Sequence, residues 1–183
     1  MNYDYHIFSK REPFVGFNAP LFKEVYEFGP LSKLNSDYST RFWLASGMPA
    51  SKIVFGIPTY GRGYTLLYSW LHFPYSPAVG SAHLGASYSY HEVCKLDHNS
   101  TYKYVFNRRA RSPYLYGGNK QWLGFEHSSS VFIKAAYARY MQLAGIMVFD
   151  IGSDDYQGYC GGDRYPLLKA ARAGFLNLSR KNL

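Results

Sequence analysis

The chain has 183 residues, with 20 Lys and Arg against 12 Asp and Glu for a formal charge of +8, and 47% of its residues are apolar. That length suits one domain or one domain plus a small appendage, and a composition with only 17% charged residues excludes a disordered chain. No apolar run approaches the roughly 18 residues a membrane-spanning helix needs, and no basic-then-apolar leader opens the sequence. In chain order, Met1–Tyr3 reads as a strand stub. Residues 37–47 (DYSTRFWLASG) read as a helix capped by Ser36 or Asp37 and stopped by Gly47. Residues 52–58 (KIVFGIP) form a nearly continuous apolar run closed by Pro58, the pattern of a strand buried on both faces. An excursion from about Arg62 to Gly124 is rich in Tyr, Ser and Pro, with short alternating pieces such as SYSYHEVC and YKYVF. Residues 128–145 are the clearest helix, with serines at the start, Val131, Ala135, Ala138 and Met141 or Gln142 at helical spacing, and Gly145 at the stop. Residues 146–151 (IMVFDI) read as a second buried strand, and 165–176 as a closing helix with Pro166 in its first turn.

Helix, strand, long excursion, helix, strand, helix is the order of an α/β protein with parallel strands. Loops at the C-terminal ends of such strands are where these folds place function. Only two convincing buried strands accompany the stub, whereas a closed eight-stranded barrel takes about 250 residues. The chain therefore reads as the last part of something larger. The aromatic content is unusual, with 19 Tyr, 13 Phe and 3 Trp. A buried Tyr hydroxyl wants a partner, so rings with one wet edge suit a binding cleft.

Four segments taken together resemble glycoside hydrolase family 18, the chitinases and chitinase-like proteins. MNYDYH (1–6) is similar to the family's Met-x-Tyr-Asp motif at the end of the sixth barrel strand, and NAPL (18–21) to the motif in the loop that follows. KIVFGIPTYGRGYTL (52–66) resembles the seventh-strand signature, and AGIMVFDIGSDDYQGYC (144–160) the eighth strand with its acidic tail. YHEVC (90–94) and NKQWLGFE (119–126) fall where the family carries an inserted α+β subdomain. The resemblance implies a partial TIM (β/α)8 barrel, built from 1–61 and 125–183, with an insertion subdomain at 62–124. It implies chitin or chito-oligosaccharides as partners, no cofactor or metal, a missing N-terminal barrel half, a secreted location, and neither nucleic acid nor membrane as partner.

The same resemblance assigns roles. Tyr3 would hydrogen-bond the acetamido oxygen of the substrate, which serves as the nucleophile in this family, and Asp4 would hold that group in line. Tyr60 and Arg62 would line the cleft wall, Met1 and Met147 would shape its floor, and Phe149 stands where the family has a stacking Trp. Phe keeps a π face and loses area and the indole N–H. After Asp4 the family's His-Gly-Ser-Trp becomes His6-Ile7-Phe8-Ser9, and Leu84 falls where family members often carry Glu. The family's proton donor sits in Asp-x-x-Asp-x-Asp-x-Glu, and none of the five glutamates (Glu12, Glu24, Glu27, Glu92, Glu126) stands in that motif. The loss of a general acid removes roughly 10²–10⁴-fold in rate, so the chain is expected to be inactive alone. The alternative is a non-catalytic, lectin-like chitin binder.

Other constellations have plainer readings. Asp150, Asp154 and Asp155 read as a turn whose carboxylates cap backbone amides, with a metal cluster or catalytic pair as the alternative. His91, Cys94, His98 and Cys160 match no common zinc spacing, and a Cys94–Cys160 disulfide, implying an oxidising compartment, is preferred. Asn99-Ser100-Thr101 and Asn177-Leu178-Ser179 fit the N-glycosylation pattern. The basic run Arg108-Arg109-Ala110-Arg111, near Tyr102, Tyr104 and Tyr114, raises single-strand nucleic-acid binding; no recognised motif accompanies it, and a solvated loop is the simpler account.

Overall fold

The computed structural model describes residues 1–97 and 99–176; His98 and the second glycosylation pattern, at Asn177, lie outside them. The first helix, α1 (Ser36–Ala45), begins at Asn35, whose side-chain oxygen accepts from the Tyr38 amide at 2.9 Å. Asn35, and neither Ser36 nor Asp37, is the cap, because only its extended backbone stands outside the helix and can aim a side chain at a free N–H. Asp37 lies in the first turn and pairs with Arg41 at 2.8 Å. Gly47, at φ +90°, stands just past the helix end, as expected.

Strand β1 (Val54–Pro58) buries Phe55 and Ile57 and pairs in parallel with β8 (Gly145–Phe149), Gly56 opposite Met147 and Pro58 opposite Phe149. The second strand is not buried as expected: β8 is half-exposed along its length, since β1 is its sole partner among the described residues. Nor do Met1–Tyr3 form a strand. They run beside Gly56, where an added Cβ would lie 3.3 Å from Met1 Cα, yet the nearest backbone tie runs from Tyr5 N to Asn18 O at 3.2 Å. The segment is anchored to the 18–21 loop.

One residue, Thr59, turns the chain out of the parallel pair. Its amide donates to Phe149 O at 2.9 Å and its hydroxyl donates to Asp150 O. Strand β2 (Tyr60–Leu66) then enters a six-stranded antiparallel sheet with β3 (Ala78–Ser81), β4 (Ser87–Ser89), β5 (Tyr102–Asn107), β6 (Ser112–Gly117) and β7 (Gln121–Gly124). The order is β3-β2-β7-β6-β5, with β4 also on β2. Gly61 is obligatory there: a Cβ would meet Gly124 O at 2.5 Å. SYSYHEVC is only half strand. From Tyr90 it becomes α2 (Tyr90–Asp97), because Tyr90, Val93 and Cys94 bury at helical spacing and Glu92 accepts from the Ser89 amide and hydroxyl ahead of the helix.

Helix α3 (Ser128–Tyr140) starts with a reciprocal cap between His127 and Ser130 and stops well before Gly145. Gln142 takes the left-handed conformation at φ +56° instead, and Gly145 opens β8. Helix α4 (Pro166–Phe175) carries Pro166 in its first turn as expected. It packs on α3 so closely that a Cβ on Gly174 would stand 2.3 Å from Phe132 O. One apolar cluster joins β1, α3 and α4 to Leu115 and Leu123 of the antiparallel sheet; a second surrounds Tyr64, Tyr114 and Trp122. A buried pair, Lys134 of α3 with Glu126, ties the helix to Ser112 of β6, which accepts from Lys134 Nζ at 3.0 Å.

Candidate functional site

The point where β1 ends and β2 begins meets the N-terminal segment. Tyr60 and Arg62 are two apart on β2, so their side chains share one face. Three donors converge there on a single oxygen of Asp4: Tyr60 Oη at 2.8 Å, Arg62 Nε at 2.9 Å and Arg62 Nη2 at 2.7 Å. The guanidinium also lies 5.2 Å from the Tyr60 ring centroid. Among the described residues no group donates to the other carboxylate oxygen of Asp4, Oδ2. Asp4 stands in the left-handed region at φ +62°, which Asp tolerates better than most residues. Asn18 holds it in place, accepting from the Asp4 amide at 3.0 Å and donating to Tyr60 O at 3.1 Å.

Three rings close one side. Tyr3 stacks on Phe149 (5.8 Å, 24°) and meets Tyr60 edge-on (5.9 Å, 77°), and Phe149 also meets Tyr60 edge-on at 6.2 Å. Met147 packs beneath Tyr3 and Tyr60. Phe149 keeps 49% of its surface exposed. Burial raises the pKa of the Tyr60 hydroxyl, and its hydrogen bond to Asp4 raises it further; burial and then the Asp4 charge raise that of Tyr3. Both phenols therefore remain neutral donors at physiological pH. Tyr3 Oη makes no hydrogen bond among the described residues.

These groups border a hollow of about 530 Å³, whose other walls are Ser87, Tyr88, Ser89, Glu92, Asp150 and Ser153. Of the residues singled out by sequence, Asp4, Tyr60, Arg62 and Phe149 line it directly, with Tyr3 and Met147 in the layer behind. Met1 does not join them and is 79% exposed. Sequence reasoning passed over the positioning role of Asn18, although NAPL was a quoted motif, and the place of Ser89 and Glu92, which β4 brings in by pairing Ser89 with Tyr60. Ser89 donates its amide and hydroxyl to Glu92 at 2.8 and 2.7 Å, and these hydrogen bonds lower the Glu92 pKa.

Of the remaining candidates, only Asp150 borders the hollow among the described residues. Leu84 sits exposed in the tight turn between Ala82 and Gly85, away from the hollow. His6 is buried against Tyr75, and desolvation lowers its pKa to about 4. The acidic tail caps backbone as the plainer reading has it: Asp150 accepts from Ser153 N, Asp154 from Leu167 and Leu168 N at the start of α4, and Asp155 from Gly158 and Cys160 N. Cys94 and Cys160 form a disulfide that joins α2 to this tail. Tyr114, weighed as a nucleic-acid contact, is buried against Trp122 at 4.9 Å, and Tyr104 packs on Phe125 at 6.3 Å.

Comparison with known proteins gives a consistent result. The model of glycosyl hydrolases family 18 matches residues 1–154. Chitotriosidase-1 of Mus musculus is 34% identical over 94% of this chain, which covers 37% of that protein. Among solved structures, an Ostrinia furnacalis Group IV chitinase superposes with a TM-score of 0.88 at 30% identity, covering 96% of this chain and 49% of its own. Human YKL-39, described as a pseudo-chitinase with retained chitooligosaccharide binding properties, also gives 0.88 at 29% identity, covering 95% of this chain and 49% of its own. The chain thus spans half or less of the length of these relatives, and, with its α/β fold and the match over most of its residues, it belongs to glycosyl hydrolase family 18.

Proposed function

We propose that this chain forms one wall of an N-acetylglucosamine-polymer groove, and that the complete protein hydrolyses β-1,4-linked chitin by substrate-assisted, retaining catalysis. The observation that carries the reading is the convergence of Tyr60 and Arg62 on one oxygen of Asp4, beside an exposed ring. The three donors fix the Asp4 carboxylate and leave Oδ2 for an acetamido N–H or a sugar hydroxyl. The Tyr3 hydroxyl is free to donate to the acetamido carbonyl oxygen as it attacks the anomeric carbon. Phe149 offers an apolar face to a pyranose ring. In this reading β1, β8 and their helices are the last part of a barrel, 62–124 is the insertion carried on it, and the family's secreted location applies.

The proton donor is not supplied by these residues. Glu92 is the glutamate that lines the hollow, and the hydrogen bonds from Ser89 favour its ionised form, which cannot protonate a leaving oxygen at neutral pH. The chain alone is therefore a binder. The lectin-like alternative keeps support from Phe149, whose smaller platform lacks the indole donor, and from the relative described as a pseudo-chitinase. The test is calorimetric titration of the chain with N-acetylchitohexaose. Binding should weaken at least about tenfold in Asp4→Asn, which loses the charge held by Tyr60 and Arg62, with the far-ultraviolet spectrum unchanged. Equal affinities for the two proteins, or release of reducing ends by the chain alone, would overturn this reading.

A further inference from the structure

Asn99-Ser100-Thr101, one of the two N-glycosylation patterns in the sequence, lies in the connection between α2 and β5. All three residues are exposed. The backbone of the turn is tied on both sides. Asn99 N donates to Leu96 O of α2 at 2.9 Å, Tyr102 N at the start of β5 donates to Asn99 O at 2.9 Å, and Gly118 N donates to Thr101 O at 3.0 Å. The turn therefore presents its side chains to solvent from a fixed frame, and a group added to one of them breaks none of these bonds.

The side chains of the pattern meet each other. Asn99 Oδ1 accepts from the Thr101 amide at 3.0 Å and from the Thr101 hydroxyl at 2.9 Å. An asparagine that closes a turn on the amide two residues on is common, and the amide bond alone would serve that purpose. The hydroxyl bond is what the pattern adds, since it requires Ser or Thr at the second position after the acceptor. Among the described residues Asn99 Nδ2 makes no hydrogen bond, so the nitrogen that would carry a sugar is uncommitted on an exposed side chain. Both contacts span only two positions, so they can form in a short stretch of chain before the rest of the domain is folded.

We propose that Asn99 is the acceptor of an N-linked glycan. The donor is an oligosaccharide carried on a lipid pyrophosphate. Nδ2 forms a bond to the anomeric carbon of the first sugar, and the bond from that carbon to the phosphate oxygen breaks. The lipid pyrophosphate leaves with the electron pair, one Nδ2 proton passes to a base of the transferring enzyme, and nothing is oxidised or reduced. The two donors on Oδ1 stabilise the charge that gathers on that oxygen as the proton leaves. The assignment rests on the secreted location proposed above, and the Cys94–Cys160 disulfide belongs to the same oxidising class of compartment. The surface also has room for a bulky, solvated group. Helix α2 starts beside Ser89 and Glu92 of the Asp4 hollow, and its 8 residues run about 12 Å before the turn, so the glycan stands at the far end of α2 from the groove.

The test is translation of the chain behind a cleavable secretion signal with endoplasmic-reticulum microsomes, in an Asn177→Gln background that leaves Asn99-Ser100-Thr101 as the remaining pattern. Only chain protected from added protease, and therefore inside the vesicles, is scored. Most of it should carry a single glycan that endoglycosidase H removes, and peptide mass spectrometry should place that glycan on Asn99. Asn99→Gln should abolish the modification. Thr101→Val, which keeps the shape of Thr and lacks its hydroxyl, should abolish it too, whereas Thr101→Ser should retain it. Protected chain without a glycan on Asn99, or Thr101→Val modified as fully as the parent, would overturn the proposal. The added signal imposes the location, so either failure would count against Asn99 and leave the secreted location and the Asp4 groove standing.

Discussion

Lys134→Met isolates the cost of an unpaired charge in this core. Lys134 and Glu126 are 1% and 2% exposed, so neither is solvated, and the charge of each is offset by the other. Burial raises the pKa of Glu126 and lowers that of Lys134, and their mutual attraction opposes both shifts. Met fills the space of the Lys stem and removes the counter-charge. Among the described residues Glu126 then keeps only the Ser130 hydroxyl, 2.6 Å away. Breaking a buried pair from one side costs about 3–5 kcal/mol, which is a large part of a domain's stability. The sign with pH follows from Glu126. A carboxyl whose folded pKa stands above its unfolded value near 4.5 contributes stability that is present at low pH and lost as pH rises through the folded value. Losing Lys134 raises that folded value further. The deficit relative to the parent should therefore be about 1 kcal/mol near pH 5, mainly the lost hydrogen bond to Ser112, and grow to the full amount by about pH 8. Urea unfolding followed by Trp fluorescence across that range measures it. Adding Glu126→Leu should restore most of the loss at neutral pH, since an apolar replacement of both partners is often neutral or better. A deficit independent of pH, or a double variant no more stable than Lys134→Met, would refute the reasoning.

Two further outcomes follow from the same contacts. Cys94 and Cys160 close a loop 66 residues apart in sequence, so replacing both with Ser should lower stability by about 4 kcal/mol by the chain-entropy argument; identical urea midpoints for parent and variant would show that the bridge constrains nothing in the unfolded chain. Asn35→Ala removes the acceptor for the Tyr38 amide and should cost about 1 kcal/mol. Ser36→Ala should cost less at that end of α1, and the reverse ranking would make Ser36 the cap.

The fold was legible where apolar spacing and terminal chemistry agreed. Strand β1 followed from a nearly continuous apolar run closed by Pro58, and α4 from a closing segment with Pro166 in its first turn. The pattern failed where a neighbour decided the outcome. Nothing local marks Asn35 over Ser36 as a cap, because the choice rests on which residue is still extended. SYSYHEVC alternates in sequence, yet Glu92 catches the Ser89 amide and starts a helix at Tyr90. IMVFDI looks like a fully buried strand, and its exposure reflects the single partner it has among the described residues, a property of the sheet rather than of the segment.

The site divides along the same line. Tyr60 and Arg62 share a face because a strand repeats every two residues, so their adjacency is visible in the letters themselves. Their meeting with Asp4 is not, because it spans 56 and 58 positions. It depends on Asn18, which grips the Asp4 amide with its oxygen and the Tyr60 carbonyl with its nitrogen. A side chain that donates and accepts at once is needed to hold a left-handed residue against a strand end. Asp in that place could accept from Asp4 and could not donate to Tyr60; Ala could do neither. The hollow is therefore set by an amide that does not line it and grips two of its walls, Asp4 and Tyr60, through their backbones, and the resemblance pointed to it only as a motif because the geometry that uses it is tertiary.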